Sequence, residues 1–252
     1  MSASFPTSLR LLDATGALFR LMLILVLWPV AGWGQLRISP CTQVADSLVL
    51  REPGLEARVD FPVLHGGAAW CEALNAHIAS RARTEAEGFL DLNRPTLEVM
   101  TDPALVHFGR WQVLWATSGL ISLRHDTEEY TGGAHGIHQC EVGTLAWDGA
   151  RLDSLGLESL LTWSPALEKA LSRQLTGHLR LLGASEALRK SWRGLPARRL
   201  RQAAPTALGL LYVINEYEAG AYVEGAFPVL VPWCALGDAL PTGGRLSRML
   251  GE

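Results

Sequence analysis

The chain has 252 residues, of which 48% are hydrophobic and 19% are charged, and its formal net charge is −3. This composition excludes a disordered chain, because disordered segments combine few apolar residues with many charges. The mildly acidic balance argues against nucleic acid as a partner and is compatible with a basic protein partner. The length allows one large hydrophobic core or two small ones.

An apolar segment near the N-terminus has the layout of a secretory signal. Residues 21–31 read LMLILVLWPVA and follow two arginines. Gly32 and Gly34 place small residues at the two positions that a signal peptidase reads. Because a spanning helix needs about 20 apolar residues, we expect a signal peptide over residues 1–34, cleaved after Gly34, with an uncleaved anchor as the alternative. The mature protein is then extracytoplasmic, either periplasmic or secreted, with no stable membrane span.

All four cysteines lie after this segment, and an even number in an exported chain predicts two disulfides. Cys140 and Cys234 each lie on or beside a predicted strand, where Cα atoms of neighbouring strands come within about 7 Å. Four cysteines allow three connectivities, and the sequence alone does not choose between them. We favour the pair Cys140–Cys234, which leaves Cys41–Cys71 to tie the N-terminal arm to the first helix. Buried free thiols are the alternative. No C-x-x-C spacing is present, so the cysteines do not indicate zinc, and we expect no metal and no cofactor.

The first half of the mature chain alternates between strand and helix periodicity. A half-buried strand is predicted from residue 55 to Pro62, entered through the turn Pro53-Gly54. Residues 68–87 change to a period of about four and predict an amphipathic helix. The apolar positions that carry these two predictions are Leu55, Ala57, Val59 and Phe61 in the strand, and Leu74, Ile78 and Ala82 in the helix.

Three further strands are predicted after a break at Asp102-Pro103. Residues 106–116 place Trp111, Val113 and Trp115 on one strand face. Residues 119–125 follow through a hairpin turn, and another alternating stretch runs from Gly136 to Trp147.

The second half begins with a strong helix signal, since Ser164-Pro165 provides an N-cap followed by proline at the first helical position. Leucines spaced four apart extend this helix to about Leu182. The basic stretch 189–201 is interpreted as a solvated surface, and strands at 208–214 and 227–231 close the chain. The predicted fold class is α+β, an antiparallel sheet with two or three helices packed on it. It forms one compact domain over residues 35–252, with halves at about 44–145 and 146–238.

Few residues suggest catalysis or metal binding. His135 and His138 lie three apart, so on a strand they would point to opposite faces and could not chelate one ion. Glu128-Glu129 beside His125-Asp126 could serve as acid and base, although adjacent charges at a strand end are more often a solvated rim. No nucleophile elbow, zinc-binding helix or phosphate loop is present, and we expect no catalytic residues.

Two motifs resemble a known family. The first is Tyr130-Thr131-Gly132-Gly133-Ala134-His135-Gly136, preceded by the strand at 119–123. The second runs from Asn215 to Gly225 and is followed by Val229-Leu230-Val231-Pro232-Trp233. Both resemble signatures of the RsiV-like extracytoplasmic domain family, and the resemblance extends from about residue 44 to residue 238. In the family pattern prolines precede the two tyrosines of the second motif, whereas this chain has Glu216 and Ala221.

This resemblance implies an exported recognition domain. The family includes anti-sigma factors whose outer domain senses lysozyme by binding it, and domains attached to peptidoglycan deacetylases. Only about 20 residues precede the apolar run, and no deacetylase domain follows. We therefore expect the recognition domain alone to carry over, with a lysozyme-like hydrolase or a cell-wall glycan as partner. Tyr130, Gly132, Gly133, His135 and Gly225 are its motif residues.

The segment 216–225 is the expected partner-binding loop. Tyrosine offers rigid amphipathic contact area at low entropic cost, and carboxylates would suit a basic partner. The predicted contact residues are Glu216, Tyr217, Glu218, Tyr222 and Glu224. Three alternatives remain open: tyrosines that only anchor the loop, an accessory envelope protein without a lysozyme partner, and an envelope hydrolase with His135 as base.

Overall fold

The structure is a computed structural model that describes residues 41–97 and 105–236, together with Leu246. The predicted signal peptide at 1–34 and the break at Asp102-Pro103 lie outside the described residues. Within the described part, no helix combines the length and the apolar character needed to cross a membrane.

Two sheets and four helices make up the described chain. The large sheet has the strand order β1 to β6, and the small sheet has the order β7 to β9. The strands are β1 (Thr42–Glu52), β2 (Leu55–His65), β3 (Leu105–Ala116), β4 (Leu120–Tyr130), β5 (Ile137–Trp147), β6 (Leu152–Ser154), β7 (Ala204–Pro205), β8 (Gly209–Ile214) and β9 (Phe227–Pro232). The helices are α1 (Ala69–Leu97), α2 (Pro165–Leu181), α3 (Ser185–Leu188) and α4 (Ala197–Leu200). The predicted α+β class is confirmed.

The large sheet is antiparallel except for one pair. β2 and β3 run parallel, with Leu55 opposite Leu105 and Asp60 opposite Arg110. A parallel pair requires a long crossover, and α1 lies between these two strands in the chain. The purely antiparallel sheet predicted from sequence is therefore corrected at this pair.

The first strand was not predicted, and the second extends beyond its predicted end at Pro62. β1, which the sequence reading missed, pairs along its whole length with β2, and Pro62 lies inside β2 opposite Ala45. β3 pairs with β2 only as far as Asp60. One side of Pro62 is therefore free of a strand partner, which is where a strand tolerates a residue without an N–H group.

A β-bulge changes the face on which one predicted core residue lies. The register between β3 and β4 shifts between Val113 and Trp115. Trp111 and Val113 pack with the α1 side of the sheet, whereas Trp115 packs against the C-terminal core. The prediction that these three residues share one face was wrong, because the extra residue of a bulge reverses the alternation beyond it.

The two long helices bury the residues that the periodicity predicted. In α1, Leu74, Ile78 and Ala82 are fully buried. In α2, the buried stripe consists of Leu167, Leu171, Leu175 and Leu179. The N-cap is also confirmed, since the Ser164 hydroxyl accepts a hydrogen bond from the Leu167 N–H at 3.2 Å.

One of the two predicted disulfides is formed. Cys41 is bonded to Cys71 on α1, with a Cα–Cα distance of 6.8 Å, whereas Cys140 is a buried free thiol and Cys234 an exposed one. The backbone of Cys140 is hydrogen-bonded to Asn215, at the Ile214–Phe227 end of the small sheet. Cys234 follows the other end of β9, and a strand of this length separates its ends by about 17 Å. The Cys140–Cys234 prediction was wrong because a disulfide cannot span that distance.

Candidate binding surface

The structure brings the two sequence motifs together. The first motif forms the turn between β4 and β5, and the second connects β8 to β9. The Asn215 side chain joins the two sheets, because it accepts a hydrogen bond from the Cys140 N–H at 2.8 Å and donates one to the Cys140 carbonyl at 3.1 Å. Beyond this junction the His135 ring stacks on the Tyr222 ring, with centroids 3.9 Å apart.

Glycines shape the β4–β5 turn. Gly132 and Gly133 have φ values of 92° and 108°, in the region that favours glycine. The turn is closed by the Tyr130 hydroxyl, which donates to the Gly133 carbonyl at 3.1 Å. His135 is held by its ring Nδ1, which lies 2.8 Å from the Gly136 carbonyl. The motif therefore fixes a tight backbone that presents the His135 ring.

Two predicted contact carboxylates hold the second loop in place. Glu218 accepts from the Asn215 N–H and from Arg199, each at 2.7 Å. Glu224 accepts from the N–H groups of Ala221 and Ser185, each at 2.9 Å. The hydrogen bonds from Ser185 and Ala221 lower the pKa of Glu224.

The interpretation of stretch 189–201 as solvated surface is corrected at Arg199. Its side chain is only 13% exposed, and besides Glu218 it reaches the Val213 carbonyl at 2.6 Å. The largely buried Arg199 side chain therefore supports the loop through these hydrogen bonds.

Tyr217 is the one residue other than glycine with a positive φ in the described chain, at 64°. A left-handed backbone costs a side-chain-bearing residue about 1 kcal/mol or more. Burial does not offset this cost, since the residue is 67% exposed. Gly225, also with positive φ, ends the loop.

We call the group formed by His135, His138, Tyr217, Tyr222 and Val223 the aromatic surface. His135, Tyr217 and Val223 are exposed, and His138 and Tyr222 are half-buried. The Tyr222 ring lies at the centre, with the rings of Tyr217 and His138 each 6.1 Å from it. Val223, on the same turn as Tyr222, is 90% exposed. Partial burial, together with the negative charges of Glu216 and Glu128, raises the pKa of Tyr222. The surface is therefore apolar, aromatic and flanked by negative charge.

A second polar site lies between α1 and the large sheet. His125 and Glu129 were named from the sequence as a possible acid and base, but Glu85 and His107 were not. The Glu85 carboxylate of α1 lies 2.7 Å from His107 Nε2 and 2.9 Å from His125 Nε2. It also accepts from the Trp111 indole at 3.3 Å. On its other side, His107 Nδ1 lies 3.0 Å from Glu129. We call Glu85, His107, His125 and Glu129 the Glu85 cluster.

The charges of this cluster are mutually compensated. Burial raises the pKa of Glu85, but the hydrogen bonds from His107 and His125 outweigh it and lower the pKa to about 2. Burial lowers the pKa of His107, but Glu85 and Glu129 outweigh it and raise the pKa above its usual value. With a carboxylate beside each ring nitrogen and a raised pKa, the imidazolium form of His107 is favoured.

One glycine makes room for the cluster. A Cβ atom on Gly109 would overlap the Glu85 carboxylate oxygen. Two features of the sequence indicate this cluster. Glu85 lies within the buried stripe of α1, between Ala82 and Phe89, and Gly109 interrupts β3 between two residues that face the cluster.

Beside the cluster is a groove of about 300 Å³ between α1 and the strands β3, β4 and β5. Glu85, His107 and Trp111 line its inner part, while Thr127, Gln139 and Glu141 line its outer part. Among the described residues, no group of three or more His, Cys, Asp or Glu side chains is arranged to hold a metal ion.

The fold is similar to that of two solved structures. A DUF3298 family protein from Pseudomonas aeruginosa PAO1 aligns with a TM-score of 0.50 and 18% identity, over 81% of this chain and 94% of the other. A member of the same family from Bacteroides fragilis NCTC 9343 aligns with a TM-score of 0.54 and 16% identity, over 84% of this chain and 97% of the other. At these identities the likeness establishes a shared fold. No family profile matches the chain, and no curated protein matches it.

DUF3298 is a domain family of unknown function. The Cys41–Cys71 disulfide is typical of proteins outside the cytoplasm, where oxidising conditions preserve such bonds.

Proposed function

We propose that this chain is an exported binding module whose aromatic surface recognises a basic protein partner of the cell envelope, such as a lysozyme-like hydrolase. The observation that carries the proposal is the convergence of two motifs 79 residues apart, from Gly136 to Asn215, in the stack of the exposed His135 ring on the half-buried Tyr222 ring. The resemblance of both motifs to the RsiV-like family supports the same interpretation. On this proposal the protein is periplasmic or secreted after loss of residues 1–34.

The backbone of Tyr217 adds independent support. Strain retained at an exposed position is characteristic of functional sites, where the surrounding structure maintains it. Here Glu218 and Glu224 hold the loop from within, while Tyr217 projects outward. Exposed aromatic residues on such a scaffold are common anchors of protein interfaces.

The flanking charges favour a basic partner. Glu216 and Glu128 are the carboxylates close enough to affect Tyr222, whereas Glu218 and Glu224 are occupied inside the loop. Complementary charge mainly accelerates association. Glu216 should therefore affect the association rate, and Glu218 the order of the loop.

The alternative of a hydrolase with His135 as base finds less support. That mechanism needs a carboxylate to orient the imidazole. Asp126 is instead paired with Arg124 at 2.7 Å, and the Nδ1 atom of His135 is directed to a backbone carbonyl. The neighbouring carboxylate Glu128 lies 3.7 Å from His138 instead.

The test is direct binding of the exported chain to purified lysozyme, measured by biolayer interferometry. Cytochrome c, another small basic protein, controls for charge alone, and insoluble peptidoglycan tests for a glycan partner. We expect binding to lysozyme that Tyr217→Ala weakens by about 2 kcal/mol or more. Equal binding to cytochrome c, or binding to peptidoglycan only, would contradict the proposal.

A further inference from the structure

We propose that the groove beside the Glu85 cluster is a second binding site, and that it takes a neutral, hydroxyl-rich ligand of the size of a sugar ring. The site is independent of the proposed function. It lies on the α1 face of β4, where His125, Thr127 and Glu129 point, whereas the aromatic surface lies beyond the opposite face.

The surface of the large sheet beneath Glu85 is polar, although α1 covers it. On both sides of Glu85, α1 packs on the sheet through its own apolar residues, such as Ile78 and Phe89. Between them the sheet offers two histidines and a carboxylate to the helix. A buried ionic cluster contributes little net stability compared with apolar packing, so fold stability alone does not explain it. Perturbed ionisable groups at the base of a cleft are characteristic of functional sites.

The outer wall of the groove has free hydrogen-bonding capacity. Across the described chain, the side chains of Arg81, Thr127, Gln139 and Glu141 have no protein partner, and all four line the groove. Thr127 lies opposite Gln139, and His125 lies opposite Glu141, in the register of β4 and β5. Donors and acceptors are thus interspersed over two neighbouring strands. A hydroxyl group, which both donates and accepts, matches such a mixture.

Charged side chains of both signs line the groove. Three carboxylates line the groove, on Glu85, Glu129 and Glu141, and two cations line it, on Arg81 and the His107 imidazolium. The charges nearly balance, and those of the inner part are already paired with each other. Arg81 and Glu141 leave one unpaired charge of each sign in the outer part. Neither a phosphate nor a polyamine would therefore meet a cluster of counter-charges, whereas a neutral ligand needs none.

The size and one apolar wall of the groove complete the match. A volume of about 300 Å³ lies at the lower end of the range for ligand pockets. The indole of Trp111 is stacked on the His125 ring, with centroids 4.1 Å apart and planes 13° from parallel. The half-buried indole is thereby held rigid, and it offers an apolar surface to the C–H groups of a sugar ring.

The experiment titrates the exported chain with chitotetraose, cellotetraose, maltotetraose and mannotetraose, followed by saturation-transfer NMR and calorimetry. We expect at least one to bind, and we expect Gln139→Ala and Glu141→Gln each to weaken that binding about tenfold, as loss of one ligand hydrogen bond does. Glu87→Gln, an exposed change on α1 outside the groove, should leave it unaltered.

Other outcomes of the same experiment would contradict the proposal. The proposal fails if none of the four sugars binds, or if binding is insensitive to both groove variants. It also fails if inorganic phosphate or spermidine binds the groove instead. Tyr217→Gly should not alter sugar binding, so this result is separable from the outcome for the aromatic surface.

Discussion

The Glu85 cluster and the aromatic surface contain similar residue types in opposite arrangements. On the α1 face, histidine and glutamate are drawn into the Glu85 cluster, where His107 is 3% exposed and both its nitrogens have partners. At the aromatic surface, the exposed His135 ring stacks on the half-buried Tyr222 ring, and Tyr217 keeps a strained backbone while 67% exposed.

This difference separates residues that hold the fold from residues free to make contacts. Removing a member of a compensated buried cluster leaves an unpaired charge, which destabilises the folded state. Removing an exposed aromatic residue leaves the core intact, so its effect should appear in binding. The predictions below test this separation, in decreasing order of the change expected in the free energy of unfolding.

The largest change is expected for Glu85→Ala. The substitution leaves the His107 imidazolium buried without its closest counter-charge, and breaking a buried ion pair costs about 3–5 kcal/mol. Glu87→Ala, two residues further along the same helix and exposed, should change stability by no more than about 0.5 kcal/mol. Urea denaturation of both variants measures the contrast. Equal effects would mean that the cluster does not contribute to holding α1.

Gly109→Ala should have the next largest effect. The new Cβ would overlap the Glu85 carboxylate, and such overpacking costs about 1–3 kcal/mol. The matched control is Gly143→Ala on β5, where a Cβ would meet no atom within 4 Å. If both variants melt at the wild-type temperature, the close approach of helix and strand at Gly109 is not tight.

A smaller effect is expected from pH. The pKa of His107 is raised above 6.5, so its contribution is complete below that pH and disappears as the pH rises through the folded-state pKa. The pKa of Glu85 falls from 4.5 to about 2, so its contribution is present above pH 4.5 and disappears as the pH falls toward 2. The cluster should therefore stabilise the fold most between pH 4.5 and 6.5.

The measurement is the unfolding free energy from pH 3 to 9, compared with the double variant Glu85→Gln, His107→Gln. The difference between the two proteins should peak in that window. Glu129 and His125 face the same groups and remain in both proteins, so they contribute to both curves. A difference that is constant across the whole range would show that these two side chains act only through packing.

How much the sequence revealed depended on whether the decisive residues were local. α2 was predicted because its N-cap, proline and leucines lie within one segment. β1 was missed because its side chains are largely exposed, so no alternating apolar pattern marks it. Two features arise from pairing between strands: the bulge that places Trp115 on the opposite face of the sheet, and the distance that separates Cys140 from Cys234. Such register is not encoded in any single segment.

The same reasoning explains the two sites. The aromatic surface was predicted because its residues belong to two recognisable motifs. The Glu85 cluster was not recognised as a unit because its hydrogen-bonded partners are separated by 22 to 40 residues. Each alone resembles an ordinary polar residue of a strand or a helix, and only the packing of α1 on the sheet joins them.

The most direct test of the proposed binding function is Tyr217→Gly, assayed for both stability and lysozyme binding. Glycine adopts the positive φ of this position without strain but loses the contact ring. We therefore expect the free energy of unfolding to change by less than about 1 kcal/mol while lysozyme binding is lost. A large loss of stability, or binding equal to that of the wild type, would mean that Tyr217 anchors the loop or is idle, and would contradict the account.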